Sequence, residues 1–82
     1  MLEIGQTLKI FSPSNGTRII VIINVRKWSY GADAKDYLGN FYEYINEWKW
    51  SGPKGDIYYV LDDDNKIKDP KCLYMKEKIS GD

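Results

Sequence analysis

The sequence predicts a mainly β domain: a small, strongly bent antiparallel sheet or barrel of about five strands, with an α+β arrangement as the alternative. Residues 17–28 carry most of this prediction, because their centre is β-branched and aliphatic (Ile19, Ile20, Val21, Ile22, Ile23 and Val25). Such side chains are stiff at χ1 and fit a pleated strand better than a helix. Turn-forming residues at 12–16 and 62–65 favour short strands joined by tight turns.

The central strand has two faces at period two, and one of them is apolar without interruption. Ile19, Val21, Ile23 and Val25 share that face. The opposite face is apolar only in its middle and is polar at both ends. We therefore predict that the core covers the first face completely, with Val21 and Ile23 at its centre, and covers the second face only in part.

Length and composition indicate one domain, residues 1–82, with enough apolar residues to fold without a metal or a disulfide. Cys72 is the only cysteine and histidine is absent, so an intrachain disulfide and zinc sites built on several Cys or His residues are excluded. The first residues lack the basic and apolar stretches of a secretion signal, and the longest aliphatic run is too short to span a bilayer. These features predict a cytoplasmic protein that does not bind a membrane.

The net charge is zero, but the acidic residues are concentrated in the middle of the chain. Residues 31–64 are acidic, and the two ends are mildly basic. Non-specific binding to nucleic acid requires a dense cationic surface, so this distribution argues against it.

Turn signals divide the rest of the chain into short elements. Residues 6–11 predict a first strand, which the Asn15-Gly16 turn folds back onto the central strand, because Asn-Gly supplies the positive φ of tight hairpins. Residues 57–61 predict a strand with Ile57, Tyr59 and Leu61 facing the core. The remaining predictions are an acidic turn at 62–65, a return strand at 66–68, one helical turn at 69–71 and a closing strand at 73–79.

Residues 36–50 are compatible with two structures. In a helix, Asn40 is an N-cap with Glu43 three residues later. One face of that helix then carries four apolar side chains, namely Phe41, Tyr44, Ile45 and Trp48. In a hairpin, Gly39-Asn40 is the turn and the aromatic residues favour a strand over 41–50. We predict a short helix or irregular helical turn, and the hairpin remains the alternative.

Three features that suggest chemistry have simpler structural explanations. The acidic run at 62–64 lacks the ligand spacing, the glycine and the distal Glu of an EF-hand loop, which indicates a solvated turn. Cys72 has no histidine to act as its base, which indicates a buried structural thiol. Glu43 and Glu47 lie on the polar side of their segment. We therefore predict no enzymatic activity, no cofactor and no metal.

The aromatic content is the unusual feature of this sequence. Several aromatic residues lie beside polar neighbours or at the ends of predicted elements, where a core has least need of them, and a cation lies nearby in sequence. Aromatic side chains combine a large contact area with a low ordering entropy, which favours binding surfaces. We predict a ligand-binding surface formed by Arg26, Trp28, Tyr30, Tyr42 and Trp50.

The order of elements resembles an SH3-like small barrel. The likeness covers residues 5–28 and 56–79, where the segment IYYVLDDDNKI resembles the late hairpin of that fold and Asp69-Pro70-Lys71 its one-turn helix. Residues 29–55 are then an insertion that could hold the short helix. The peptide-binding motif of SH3 domains is not matched, so a proline-rich ligand is not implied. The composition is similar to that of small phage and mobile-element proteins of low-GC bacteria, which often inhibit a host factor.

From these observations we predict a non-enzymatic binding module that acts on a protein partner through an aromatic and charged surface. The narrower form of this prediction is a phage-type inhibitor of a host factor. The alternative is a protein that binds or sequesters a nucleotide or a short single-stranded nucleic acid on stacked aromatic side chains. A flat exposed patch would favour the protein partner, and a pocket with two rings and a cation would favour the nucleotide. Homo-oligomerisation is compatible with either function.

Overall fold

Six β-strands and one 3₁₀ turn form the described part of the chain, which in this computed structural model comprises residues 2–27 and 31–71. The strands are β1 (Thr7–Ser12), β2 (Gly16–Val25), β3 (Ala32–Lys35), β4 (Phe41–Asn46), β5 (Lys49–Ser51) and β6 (Ile57–Val60), and the 3₁₀ turn is Pro53–Gly55. Neighbouring strands pair in chain order, and β6 pairs back to β1, so the sheet closes into an antiparallel barrel. The mainly β prediction is confirmed, and the architecture is compatible with an SH3-like small barrel.

The β1–β2 hairpin forms where the sequence predicts it. Ser12 pairs with Gly16, and the Asn15 N–H donates to the Ser12 carbonyl over 3.2 Å. Gly16 has a φ of +78°, a left-handed conformation that glycine adopts at little cost. The Asn15 side chain also donates to Asp56 over 2.7 Å, which ties this turn to the segment before β6.

The helix predicted within residues 36–50 is wrong. The hairpin alternative is right about the turn at 39–40, since β3 pairs with β4 across it, but the single strand over 41–50 is in fact two strands. β4 and β5 pair with each other, with Tyr44 opposite Trp50. The expected N-cap, Asn40, donates its backbone and side-chain N–H groups to the Asp36 carboxylate instead. Cross-strand contacts between large aromatic side chains outweigh the local helical signal, because each such pair also buries apolar surface.

The buried face of β2 is the opposite of the predicted one. Ile22 is fully buried, whereas Ile23 is 37% exposed and Val21 is also exposed. β3 carries alanines on one face and charged residues on the other, so its charged face must lie outside. Because Ile22 pairs with Ala34 and Val21 pairs with Lys35, the register places Ile22 inside and Val21 outside.

The core therefore lies on the inner faces of all six strands. Its buried members are Ile10, Ile20, Ile22, Ala32, Ala34, Tyr42, Trp50, Tyr58 and Val60. The prediction that Ile57 faces the core is wrong, since Ile57 is exposed and its neighbour Tyr58 is buried. Tyr58 takes the inner position because it pairs with the buried Trp50.

A second, smaller cluster closes one side of the barrel after β6. Leu61 and Ile67 are buried there, with Phe11 and Tyr59 packed against them. This contact replaces the predicted return strand, which is reduced to a single bridge between Leu61 and Ile67. The acidic turn forms as predicted, with Asp62 accepting hydrogen bonds from the backbone N–H groups of residues 64 and 66.

At the predicted helical turn 69–71, the Asp69 carboxylate accepts the Lys71 N–H over 2.9 Å, and residues 70–71 form a turn that is not helical. Cys72 and the closing strand predicted at 73–79 lie outside the described residues.

Candidate binding surfaces

Three of the five predicted site residues are described, and of these only Arg26 and Trp50 line the same cleft. Tyr42 and Trp50 are 2% and 1% exposed, so the expectation that they form a surface patch is wrong. Both occupy inner positions, because Tyr42 pairs with Ala34 and Trp50 pairs with Tyr58. Trp28 and Tyr30 lie outside the described residues.

The two buried rings are fixed by aromatic contacts and one hydrogen bond. The Tyr42 ring meets the Tyr58 ring edge to face at 5.2 Å, and the Trp50 ring meets the Tyr44 ring in the same way at 5.6 Å. The Tyr42 hydroxyl donates to Asp36 over 2.8 Å. These contacts make both rings structural parts of the barrel.

Arg26, the predicted cation of the site, is engaged within the fold. Its guanidinium donates to Asp33 over 2.8 Å and lies 3.6 Å from a Glu43 carboxylate oxygen. The side chain crosses Gly31 so closely that a Cβ there would clash with the guanidinium. The Arg26 N–H donates to the Gly31 carbonyl over 3.0 Å. Arg26 therefore closes the loop between β2 and β3 and is not free to hold an anionic ligand.

The loop between β3 and β4, residues 36–40, is organised by a buried carboxylate. Asp36 accepts hydrogen bonds from the N–H groups of Leu38 and Asn40, from the Asn40 side chain and from the Tyr42 hydroxyl. Burial acts to raise the pKa of Asp36, but hydrogen bonds from Asn40, Tyr42 and the loop backbone outweigh it and leave the pKa below its ordinary value. Burial, followed by the bond to Asp36, raises the pKa of Tyr42. The loop is thus held in one conformation from inside.

Outside the barrel, apolar side chains form an exposed surface that we call the outer patch. It consists of Ile19, Val21, Ile23, Tyr37, Leu38 and Phe41, which are six of the nine large apolar side chains exposed in the described residues. Lys35 pairs with both Val21 and Phe41, so these residues lie in one row across three strands. Tyr37, 91% exposed, and Leu38 project at the loop end of that row.

The charged side chains that pair directly with the outer patch are both cationic. Lys9 pairs with Ile19, and Lys35 lies between Val21 and Phe41. The nearest acids in the register are Asp33 and Glu43, which approach Arg26 instead. Asp62 and Asp63 line a pocket together with Ile19, and Asp33 and Glu43 line another together with Phe41. The outer patch is therefore an apolar surface that pairs with lysines and has acids at two of its edges.

A second candidate site, which we call the barrel-end cleft, opens at the end of the barrel where β2 finishes and β4 turns into β5. Its volume is about 620 Å³. The described residues that line it are Leu2, Gln6, Leu8, Val25, Arg26, Lys27, Gly31, Tyr44, Glu47, Trp48, Trp50, Val60 and Lys68. It combines apolar and aromatic walls with lysines at its mouth.

Sequence reasoning missed most residues of both surfaces. The β2 part of the outer patch was missed because Ile19, Val21 and Ile23 were predicted to face the core, although the Ala-Asp-Ala-Lys alternation of 32–35 contains the information that corrects this prediction. Trp48 and Lys68 of the cleft are far apart in the chain, and only the closure of the barrel brings them together.

Comparisons with protein-family models, with curated proteins and with solved structures give no match to this chain. What the structure does show is the fold of the described residues, a small closed antiparallel β-barrel of six strands. Within the described residues, no group of acidic and cysteine side chains is arranged to hold a metal ion. No helix among residues 2–27 and 31–71 is long and apolar enough to cross a membrane.

Proposed function

We propose that this protein is a binding module that recognises a protein partner through the outer patch. The observation that carries the proposal is the exposed face of β2: Ile19, Val21 and Ile23 lie outside the barrel although the core is complete without them. Exposed apolar side chains that lie next to one another on a small monomer are typical of an interaction site. Aromatic side chains at their edge add the anchor residues typical of interfaces.

The rigidity of the 36–40 loop supports this function. Tyr37 and Leu38 project into solvent from a turn that the buried Asp36 carboxylate fixes through four hydrogen bonds. A loop that is already ordered loses little conformational entropy when it binds, so more of the contact energy appears as affinity. Gly39, with a φ of +88°, supplies the backbone conformation that the turn requires.

The charges beside the outer patch indicate the chemistry of the partner. Lys9 and Lys35 would face a protein surface that is apolar and carries Asp or Glu side chains at matching positions. A second copy of this chain fits less well, because Lys35 lies near the middle of the patch and would approach the Lys35 of a two-fold related copy. The composition supports the narrower proposal that the partner is a cytoplasmic host factor that this chain inhibits.

The test uses a double variant of the loop and a matched control. Tyr37→Ser with Leu38→Ser removes two projecting side chains of the outer patch. Ile45→Ser with Ile57→Ser removes two exposed apolar side chains from other parts of the barrel. Both variants should keep the stability of the wild type within about 1 kcal/mol, because surface substitutions are usually mild.

Each immobilised variant is then exposed to a bacterial lysate, and captured proteins are quantified by mass spectrometry. We expect one protein, captured by the wild type and by the control, to be lost with the loop variant. Purification of that protein and titration with the wild type should give a complex that weakens with added salt, because Lys9 and Lys35 contribute to it. The proposal is contradicted if the loop variant captures the same protein as well as the wild type does. It is also contradicted if the wild type and the control self-associate and the loop variant does not.

A further inference from the structure

We propose that the barrel-end cleft is a separate binding site for a small ligand that combines a planar ring with an anionic group, as a nucleotide does. This site does not use the outer patch: the two sets of lining residues have no member in common. The cleft volume of about 620 Å³ lies within the range of about 300–1,000 Å³ that is usual for small-molecule sites.

Rings line the cleft in fixed positions. The Tyr44 ring packs edge to face against the buried Trp50 ring at 5.6 Å, so one wall of the cleft is an ordered aromatic pair. Trp48 is half-buried at the turn between β4 and β5. The backbone N–H of Trp48 donates to the Asn46 side chain over 2.8 Å, and the backbone carbonyl of Trp48 accepts the Val60 N–H over 2.9 Å. The ring contact orders Tyr44 and Trp50, and the two bonds fix the backbone that carries Trp48, so a planar ring can stack here at a modest cost in conformational freedom.

The charges of the cleft favour an anion. Lys27 and Lys68 are exposed at its mouth, and Glu47 is the only acidic side chain among its described lining residues. Arg26 also lines the cleft, but its charge is compensated by Asp33 and Glu43. Two lysines face one carboxylate in this lining, and although Lys68 also interacts with the nearby Asp62, the balance of charge in the described lining is positive, which attracts a phosphate or carboxylate group. Leu8, Val25 and Val60 add apolar side chains to the lining.

The experiment is a titration of the full chain followed by tryptophan fluorescence and by calorimetry. The probes are AMP, which carries both a ring and an anion, adenosine, inorganic phosphate and a single-stranded oligonucleotide. We expect AMP to change the fluorescence saturably, because Trp48 and Trp50 line the cleft. AMP should bind about tenfold more tightly than adenosine or phosphate, since neither of these uses both the rings and the lysines. Comparing the oligonucleotide with AMP tells whether the site prefers a free nucleotide or a strand.

Two matched variants locate the binding. The double variant Lys27→Ala/Lys68→Ala should bind AMP about tenfold more weakly than the wild type and bind adenosine with unchanged affinity. Lys35→Ala with Lys66→Ala has the same net charge but leaves the lining of the cleft intact, so it should bind AMP like the wild type. Trp48→Leu should weaken the binding of AMP, of adenosine and of the oligonucleotide, because it removes a stacking surface.

The proposal is overturned if none of the four probes gives a saturable signal at millimolar concentration. It is also overturned if the Lys27/Lys68 and Lys35/Lys66 variants weaken AMP equally, since that result would indicate non-specific attraction to charge. Failure of either kind leaves the outer-patch proposal standing, because the two sites share no residue. If AMP does bind, the loop variant at Tyr37 and Leu38 should bind it like the wild type.

Discussion

In the middle of the strand, between residues 19 and 23, the two faces of β2 are the same in chemistry but differ in environment. The inner face contributes Ile20 and Ile22 to the core, and the outer face exposes Ile19, Val21 and Ile23. Both faces consist of β-branched aliphatic side chains, which have high strand propensity and similar hydrophobicity. Burial is therefore decided by the neighbouring strands and not by the side chains of β2 themselves.

The neighbours of each face differ sharply. Inside, Ile20 pairs with Leu8 and Ile22 with Ala34, and the aromatic rings of the core cover them. Outside, Val21 lies between Thr7 and Lys35, both of which are exposed. An apolar strand face is thus a reliable sign of a strand, while the polar residues on adjacent strands show which side faces water.

The largest effect should come from the aromatic side chain at the centre of the inner side. Trp50→Ala should reduce the free energy of unfolding by about 3–5 kcal/mol, because Trp50 is almost completely buried and its loss leaves a cavity. Its outer counterpart, Phe41→Ala, should cost about 1 kcal/mol or less. Denaturation in urea measures both. A Trp50→Ala variant as stable as Phe41→Ala would show that Trp50 is a surface residue after all.

The comparison is tested most directly by two adjacent isoleucines. Ile22→Ala should cost about 2–5 kcal/mol, since it removes a fully buried side chain. Ile23→Ala should change stability by about 1 kcal/mol or less, since its side chain is partly exposed outside the barrel. The two variants share the same chemistry and the same strand, so each is the control of the other. A reversed order of unfolding midpoints would restore the face predicted from the sequence.

Asp36 links the interior to the loop that carries the tip of the outer patch. Asp36→Ala should cost about 1–3 kcal/mol, because it leaves the Tyr42 hydroxyl and the Asn40 N–H without their acceptor. Tyr42→Phe removes that hydroxyl. The loss of unfolding free energy in the double variant Asp36→Ala/Tyr42→Phe should therefore be smaller than the sum of the losses in the two single variants. Strict additivity would mean that the hydrogen bond between Asp36 and Tyr42 contributes nothing to stability.

The smallest effect concerns pH. The pKa of Asp36 in the folded chain is lowered, so the ionised carboxylate stabilises the fold above the unfolded-state pKa of about 3.9. This stabilisation is lost as the pH falls through the lower pKa of the folded state. We therefore expect the unfolding midpoint to decrease between about pH 5 and pH 2, and to decrease less in Asp36→Asn than in the wild type.

A control for the pH measurement is Asp62, whose pKa is lowered by the backbone N–H of Lys66 in the acidic turn. Asp62 is more exposed than Asp36, so Asp62→Asn should alter the pH dependence less. If the unfolding midpoint of Asp36→Asn depends on pH as strongly as that of the wild type, the Asp36 carboxylate is not the source of the pH dependence.

Some of the candidate sites could have been found from the sequence. Tyr37 and Leu38 precede Gly39, and a turn at that glycine would leave them at an exposed tip. The cleft could not have been found from the sequence. Its lysines, Lys27 and Lys68, are forty-one positions apart in the chain and line one cleft only because the barrel closes. Arg26 was predicted to lie at a ligand site, and the structure shows that it forms a salt bridge with Asp33. The local sequence pattern does not reveal this contact.

The sequence by itself determined the β class, the position of the long second strand, the hairpin at Asn15-Gly16 and the acidic turn after β6. These features depend on contacts within a few residues, such as β-branched side chains and turn glycines. Only the tertiary structure decided that residues 41–51 form two strands, that the inner face of β2 is the one with Ile20 and Ile22, and that β6 closes the barrel against β1. Each of these depends on which distant side chain lies opposite, and a period of two is the same whichever face is turned inward.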